Sequence, residues 1–258
     1  MADGYETIGN PGVDRLLKSL YNRNGVDAGA REGARVINAS WGRRYGGRYT
    51  SFCKNYDDAL HSEYADLLLV VAAGNIGRTG MRSIQDPADC KSPLAVGSTL
   101  SYGTDAREGE LGIEYLADYS SRGPTMDERM KPDILAPGHS ILAAKANPKK
   151  SGECDGRSDP DIKESKTGGH GVRYATGTSM AAPVLSGAAA VLRQYFAEGY
   201  CSSSSSSNGE TTRRDEKVGR CCGHKGCGEG MSPSGTLMKA VLMNGAQPLK
   251  GGVQYVPG

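Results

Sequence analysis

The sequence contains no apolar run longer than the seven residues 67–73, far short of what crosses a bilayer as a helix. Its start, Met1-Ala2-Asp3-Gly4-Tyr5, has no basic stretch leading into an apolar one, so no signal peptide is visible. Charge of one sign is also lacking. The 31 Lys and Arg are interspersed with 29 Asp and Glu, for a net charge of +2. Neither nucleic acid nor a membrane surface is indicated as a partner. Phenylalanine and tryptophan are scarce, at two and one, whereas glycine reaches 37. That balance describes a globular but turn-rich chain. Its 258 residues suffice for one large α/β domain or two small ones. Seven cysteines exceed what a cytosolic enzyme of this size usually carries, and point to an oxidising compartment: secretion, or the lumen of the secretory pathway.

The apolar pattern alternates between two periods. Val13, Leu16, Leu17 and Leu20 share one helical face in 13–21. Residues 34–40 read as a strand leading into Trp41-Gly42, and 51–65 as an amphipathic helix. The continuous apolar run to Ala73, ending at Gly74-Asn75, suits a central parallel strand buried on both faces. Further strands are expected at 94–98 and 132–136, with a short extended piece at 141–144. Helices are expected at 179–197 and 236–244. Strands alternating with helices imply an α/β fold, a mostly parallel, doubly wound sheet in three layers. Two stretches fall outside the pattern. Residues 147–171 read as a polar surface loop. Residues 199–233, with serines at 202–207 and the cluster Cys221-Cys222-Gly223-His224-Lys225-Gly226-Cys227, read as a low-complexity Ser/Cys-rich insertion.

Chemistry enters at Gly177-Thr178-Ser179-Met180-Ala181-Ala182-Pro183. A serine here stands at a helix N-terminus, where backbone N–H groups lack helical partners and the dipole favours negative charge. Pro183 is expected near the first turn, where a missing N–H costs least. Taken alone, Ser179 reads as well as a helix cap. Asn75 follows a buried strand, at the edge where open α/β sheets place their sites, and its amide could hold a tetrahedral oxyanion. Alone it reads as a turn residue.

The order of blocks decides between these readings. Val36-Ile37-Asn38-Ala39-Ser40-Trp41-Gly42, Val70-Val71-Ala72-Ala73-Gly74-Asn75, Ser120-Ser121-Arg122-Gly123-Pro124, Lys131-Pro132-Asp133-Ile134-Leu135-Ala136-Pro137-Gly138 and the Ser179 motif follow one another along the chain. This series resembles the subtilisin-like serine proteases, the subtilases, over about residues 34–197, and the last helix resembles the one that closes their catalytic domain. The resemblance implies a serine endopeptidase acting on polypeptides, with Ser179 as nucleophile and Asn75 as oxyanion-hole side chain beside the Ser179 N–H. It implies a substrate-pairing edge at Ser40, Trp41 and Gly42, and a wall of the primary specificity pocket at Ala72, Ala73 and Gly74. No cofactor is implied for the chemistry. Structural calcium is common in such proteins, but no acidic loop can be assigned to it.

The chain departs from that family in its base. The triad runs Asp, His, Ser along the sequence. Asp27 lacks a preceding buried strand, and His61, His139, His170 and His224 lack the Gly-Thr context of the triad histidine. The expectation is a partial catalytic domain over 1–258, incomplete on its N-terminal side and inactive alone, whose partner is the missing N-terminal segment. A non-catalytic, peptide-binding relative is the alternative. Cys221, Cys222, His224 and Cys227 lack paired zinc spacing, so disulfides within the insertion, with Cys201, are favoured over a metal. Cys53 and Cys90 read either as buried thiols or as one bridge.

Overall fold

The structure, a computed structural model, describes residues 34–44, 46–101, 112–145, 171–199 and 230–249. The helix expected at 13–21 and nearly all of the loop and insertion lie outside them.

Four strands form a parallel sheet in chain order: β1 (Val36–Ala39), β2 (Leu68–Ala72), β3 (Leu94–Thr99) and β4 (Ile134–Pro137). Its spine is β2, every residue of which is buried. Period-two alternation sends Leu69 and Val71 to one face and Leu68, Val70 and Ala72 to the other. On the first face they meet Cys53, Tyr56 and Leu60 of helix α1 (Ser51–His61). On the second they meet Ala181, Ala182, Leu185 and Ala189 of α2 (Thr178–Glu198) and Met238 of α3 (Gly235–Asn244). The result is the three-layer α/β arrangement read from the sequence. Small alanines on α2 let the helix lie close against all four strands.

Two elements differ from expectation. Helix α1 ends at His61 rather than at 65, because Tyr64 N–H closes five residues back on Ala59 O (2.9 Å) and the chain turns to bury Tyr64. The extended piece β5 (Ile141–Ala144) pairs antiparallel with β6 (Val172–Ala175), a strand the polar sequence Val172-Arg173-Tyr174-Ala175 does not advertise.

Polar ties fix the layers. Asp57 on α1 is buried and accepts from Lys91 N, Ser92 N and Tyr49 Oη, which anchors the helix to the loop before β3. Asp133, beside β4, binds Lys131 (2.8 Å), Lys239 of α3 (3.1 Å) and Ala95 N (2.8 Å). Burial draws the Lys131 ammonium down to about 8, with the Asp133 charge opposing the shift.

Candidate active site

β2 delivers Gly74 and Asn75 at its carboxyl end. Gly74 has φ +110°, a conformation other residues rarely adopt, and a Cβ there would lie 2.5 Å from the Gln85 side chain. The turn is clamped from outside by the Ser120-Ser121 block: Ser121 N donates to Gly74 O (2.9 Å), and Ile76 N to Ser121 Oγ (3.2 Å).

Helix α2 starts opposite. Gly177 is its N-cap at φ +152°, and its own N–H goes to Gly138 O (2.8 Å). Thr178, fully buried, then joins the two termini. Its backbone N–H (2.8 Å) and its hydroxyl (2.9 Å) both donate to Asn75 Oδ1, and its hydroxyl accepts from Gly74 N (3.2 Å). Since Oδ1 faces two donors, Nδ2 is the free end of the Asn75 amide. Among the described residues neither Asn75 Nδ2 nor the Ser179 N–H has a hydrogen-bond partner. The site therefore presents two unspent donors beside a half-buried serine hydroxyl at a helix N-terminus, an arrangement suited to a developing oxyanion.

Ser179 is latched to the edge of β1. Its Oγ donates to Ser40 O (3.1 Å), and Ser40 Oγ donates to Ser179 O (3.0 Å). The second bond has a cause in the sequence. Pro183 lies inside α2 rather than in its first turn, and has no N–H to give the carbonyl four residues back. That carbonyl belongs to Ser179, and Ser40 takes it.

The residues expected to bind substrate flank this latch. Trp41 and Gly42 are exposed, and Trp41 packs edge-on against Phe52 at 6.5 Å between ring centroids. Ala72 and Ala73 turn their methyl groups into the two cores, so they can offer a substrate only backbone. Gln85 was not foreseen. It sits between the two edges: a Cβ on Gly42 would meet Gln85 Cβ at 3.2 Å, and Gln85 N bonds Ala73 O (3.0 Å). Nothing in the sequence marks it, because its place depends on how the loop after β2 returns. Thr178 was likewise assigned no role, although it sits within the quoted motif.

No base meets the serine among the described residues, where the hydroxyl of Ser179 bonds to Ser40 O. His61 is exposed at the end of α1, and the His139 ring stacks on Tyr119 at 6.0 Å. Asp27, His170 and His224 fall outside the described residues, as do Cys201 and the Cys221–Cys227 cluster. Cys53 and Cys90 form one disulfide. Calcium finds no all-oxygen group of three or more ligating side chains among the described residues; the one cluster there, Cys53, Asp86, Asp89 and Cys90, contains two sulfurs.

The chain is similar to known proteins. The serine protease/ABC transporter B family protein tagD of Dictyostelium discoideum is 26% identical over 92% of this chain and 15% of its own length. The minor extracellular protease Vpr of Bacillus subtilis is 38% identical over 43% of this chain and 12% of its own. The solved prenylagaramide maturation protease PagA is 25% identical, covers 75% of this chain and 52% of its own, and superposes with a TM-score of 0.46. The chain thus spans about a seventh or less of the length of these two curated relatives. A family model described as the subtilase family, Peptidase_S8, matches residues 7–254, and the chain belongs to that family.

Proposed function

We propose that this protein is a serine endopeptidase whose nucleophile is Ser179. The carrying observation is the Thr178 junction, in which Asn75 Oδ1 accepts both Thr178 donors, so that Nδ2 is left as the free end of the amide next to the start of the helix that carries Ser179. In the reaction Ser179 Oγ attacks a peptide carbonyl, the oxyanion forms between those two donors, and the acyl-enzyme is then hydrolysed. The substrate lies extended along Ser40, Trp41 and Gly42, with Ala72, Ala73, Gly74 and Gln85 behind its leading side chain. Polypeptides are the substrates, with nucleic acid and membrane playing no part. The family's chemistry needs no cofactor. The cysteine usage and the extracellular relative favour a secreted or lumenal setting.

The general base comes from a segment outside the described residues, the part of the same catalytic domain that carries the Asp and His. Two features receive it. β1 ends the sheet with its outer edge unpaired among the described residues. Beside it, α2 exposes an apolar stripe of Val184 (45%), Val191 (68%) and Tyr195 (52%), more than a finished helix surface normally shows. Until that segment is in place, the hydroxyl rests on Ser40 O and the serine is a poor nucleophile. A second reading, a peptide-binding relative without catalysis, draws on the same bond.

A fluorophosphonate probe separates them. The protein is captured from its source cells with any associated segment retained, and compared with the 258-residue chain alone. Labelling of Ser179 in the captured form, absent from the chain alone and from Ser179→Ala, is expected. A folded captured protein that resists the probe yet binds peptide supports the second reading. Robust labelling of the chain alone overturns the missing base.

A further inference from the structure

On the far side of the specificity wall lies a cluster that the proteolytic reading does not use. Cys53 of α1 meets Asp86, Asp89 and Cys90 of the loop leading to β3, and one ligand atom from each lies within 4.8 Å of all the others. All four residues are buried, Cys53, Asp89 and Cys90 completely. Buried carboxylates need partners, and the disulfide supplies none. Cys53 Sγ is 3.2 Å from Asp89 Oδ1, and Cys90 Sγ is 3.9 Å from the same oxygen and 4.0 Å from Asp86 Oδ1. Sulfurs joined to each other have no hydrogen to donate. Among the described residues, the buried Asp89 Oδ2 has no hydrogen-bond partner. The oxidised cluster therefore sets buried carboxyl oxygens against sulfurs that cannot donate, a conflict that protons on the carboxyls relieve at acidic pH and a bound cation relieves with the carboxyls ionised.

We propose that Cys53, Asp86, Asp89 and Cys90 form a zinc-type metal site in the thiol form of the protein, and that disulfide and metal are alternative occupants of the same buried cluster. The ligand set is the argument for the ion. Two thiolates and two carboxylates match the tetrahedral preference of zinc, while the sulfurs are wrong for calcium or magnesium. The exchange balances. A small-molecule dithiol gives two electrons and two protons to the Cys53–Cys90 bond, yielding two thiols and an oxidised, cyclic reductant. Zinc then displaces both thiol protons, and the two carboxylates enter ionised. Zinc–ligand bonds of about 2.0–2.3 Å require neighbouring donors about 3.4–3.8 Å apart. The sulfurs must part and the widest pair close by about 1 Å. Four anionic ligands leave the complex with an excess of negative charge, and Arg43, Arg129 and Lys131 act electrostatically on the two aspartates. The site also has a mechanical connection. Asp86 exchanges backbone hydrogen bonds with Arg43 (2.9 and 3.0 Å), so the cluster braces the loop that carries Gln85 in either state.

The test uses the full chain with Cys154, Cys201, Cys221, Cys222 and Cys227 changed to serine, so that any thiolate–metal signal comes from Cys53 and Cys90. The protein is reduced anaerobically with a dithiol, freed of reductant and titrated with cobalt(II) as a spectroscopic stand-in for zinc. One cobalt per chain is expected, with thiolate charge-transfer bands and the intense visible bands of a tetrahedral site, and zinc should displace it. The oxidised chain should bind none. Asp89→Asn and Asp86→Asn should each weaken binding by more than the roughly 10–100-fold that loss of an outer-sphere partner costs, and should shift the visible bands. A reduced, folded chain that binds no cobalt overturns the proposal. So does a spectrum and affinity unchanged by both aspartate substitutions, and so does a reduced chain that fails to keep its near-ultraviolet circular dichroism with metal present, because the cluster then never assembles.

Discussion

Ser40 and Ser179 exchange hydrogen bonds, the hydroxyl of each donating to the backbone carbonyl of the other at 3.0 and 3.1 Å. One of these depends on the absence of an N–H at Pro183. Ser40→Ala should therefore leave Ser179 O without its partner, at a cost of about 1 kcal/mol. Pro183→Ala restores a helical donor to the same carbonyl. In a double-mutant cycle read by urea unfolding, the second change should recover most of the loss caused by the first. Simple additivity of the two would contradict the link.

The Asn75 amide should matter in the transition state rather than in substrate binding. If Asn75 is the proposed oxyanion donor, Asn75→Ala is expected to lower kcat by about 10²–10³ with little change in KM, the loss that removing one oxyanion-hole donor brings. Thr178→Val removes one of the two donors that orient Asn75 and keeps the backbone one. Its expected effect is milder, about tenfold in kcat. Both are measured by peptide hydrolysis on the protein captured with its base-bearing segment. An equal fall in affinity for a substrate-like peptide would show that Asn75 contributes to binding instead.

Gln85 should set which side chain the enzyme cuts after. Its amide occupies the space beside Gly74 and Gly42. Gln85→Ala should raise kcat/KM for large aromatic residues over small ones by about tenfold, within the range that pocket-filling groups provide. Gln85→Glu should move preference towards Lys and Arg, and more so at low salt. Cleavage of a peptide library by the captured enzyme reads both. An unchanged profile would remove Gln85 from the pocket.

The oxidised protein should lose stability as pH rises through the weakly acidic range. Burial, and then the neighbouring Asp89 charge, lift Asp86 to about 7, and burial lifts Asp89 to about 6. From about pH 4, where carboxyls ionise in the unfolded chain, up to about 7, the folded form holds protons the unfolded form has released. Their contribution is therefore complete at the acidic end and is lost as pH climbs. Urea midpoints at pH 4.5 and 7.5 should show the fall, and Asp86→Asn should flatten most of it. A wild-type profile that rises over this interval would contradict the assignment.

Much of this was written in hydrophobic pattern. The seven-residue apolar run suits a strand with both faces covered, and β2 is that strand. The helix expected at 179–197 is α2, while the face it buries, that of Ala181, Ala182, Leu185 and Ala189, is shown only by the fold. What escaped depended on long-range return. β6 is half polar and becomes a strand by pairing with β5. Cys53 and Cys90 lie 37 residues apart, and whether they bond depends on α1 folding onto the loop before β3. Asn75 and Ser179 could be named from their blocks, but Thr178, which joins them, emerges only when the 103 residues separating it from Asn75 are folded back, and Gln85, which stands between the two edges, only when the loop after β2 returns.

The two-sided burial of β2 has a consequence for how the proposed activity can be tuned. The strand runs straight into Gly74 and Asn75, so the proposed oxyanion donor is the tip of a rod gripped by both helical layers. A strained contact under α1 or a void beneath α2 would tilt that tip without touching any reacting atom. Selection could thus adjust turnover from remote interior positions such as Val70 or Val71, each facing a different layer, while the visible machinery around Ser179 stays letter for letter the same.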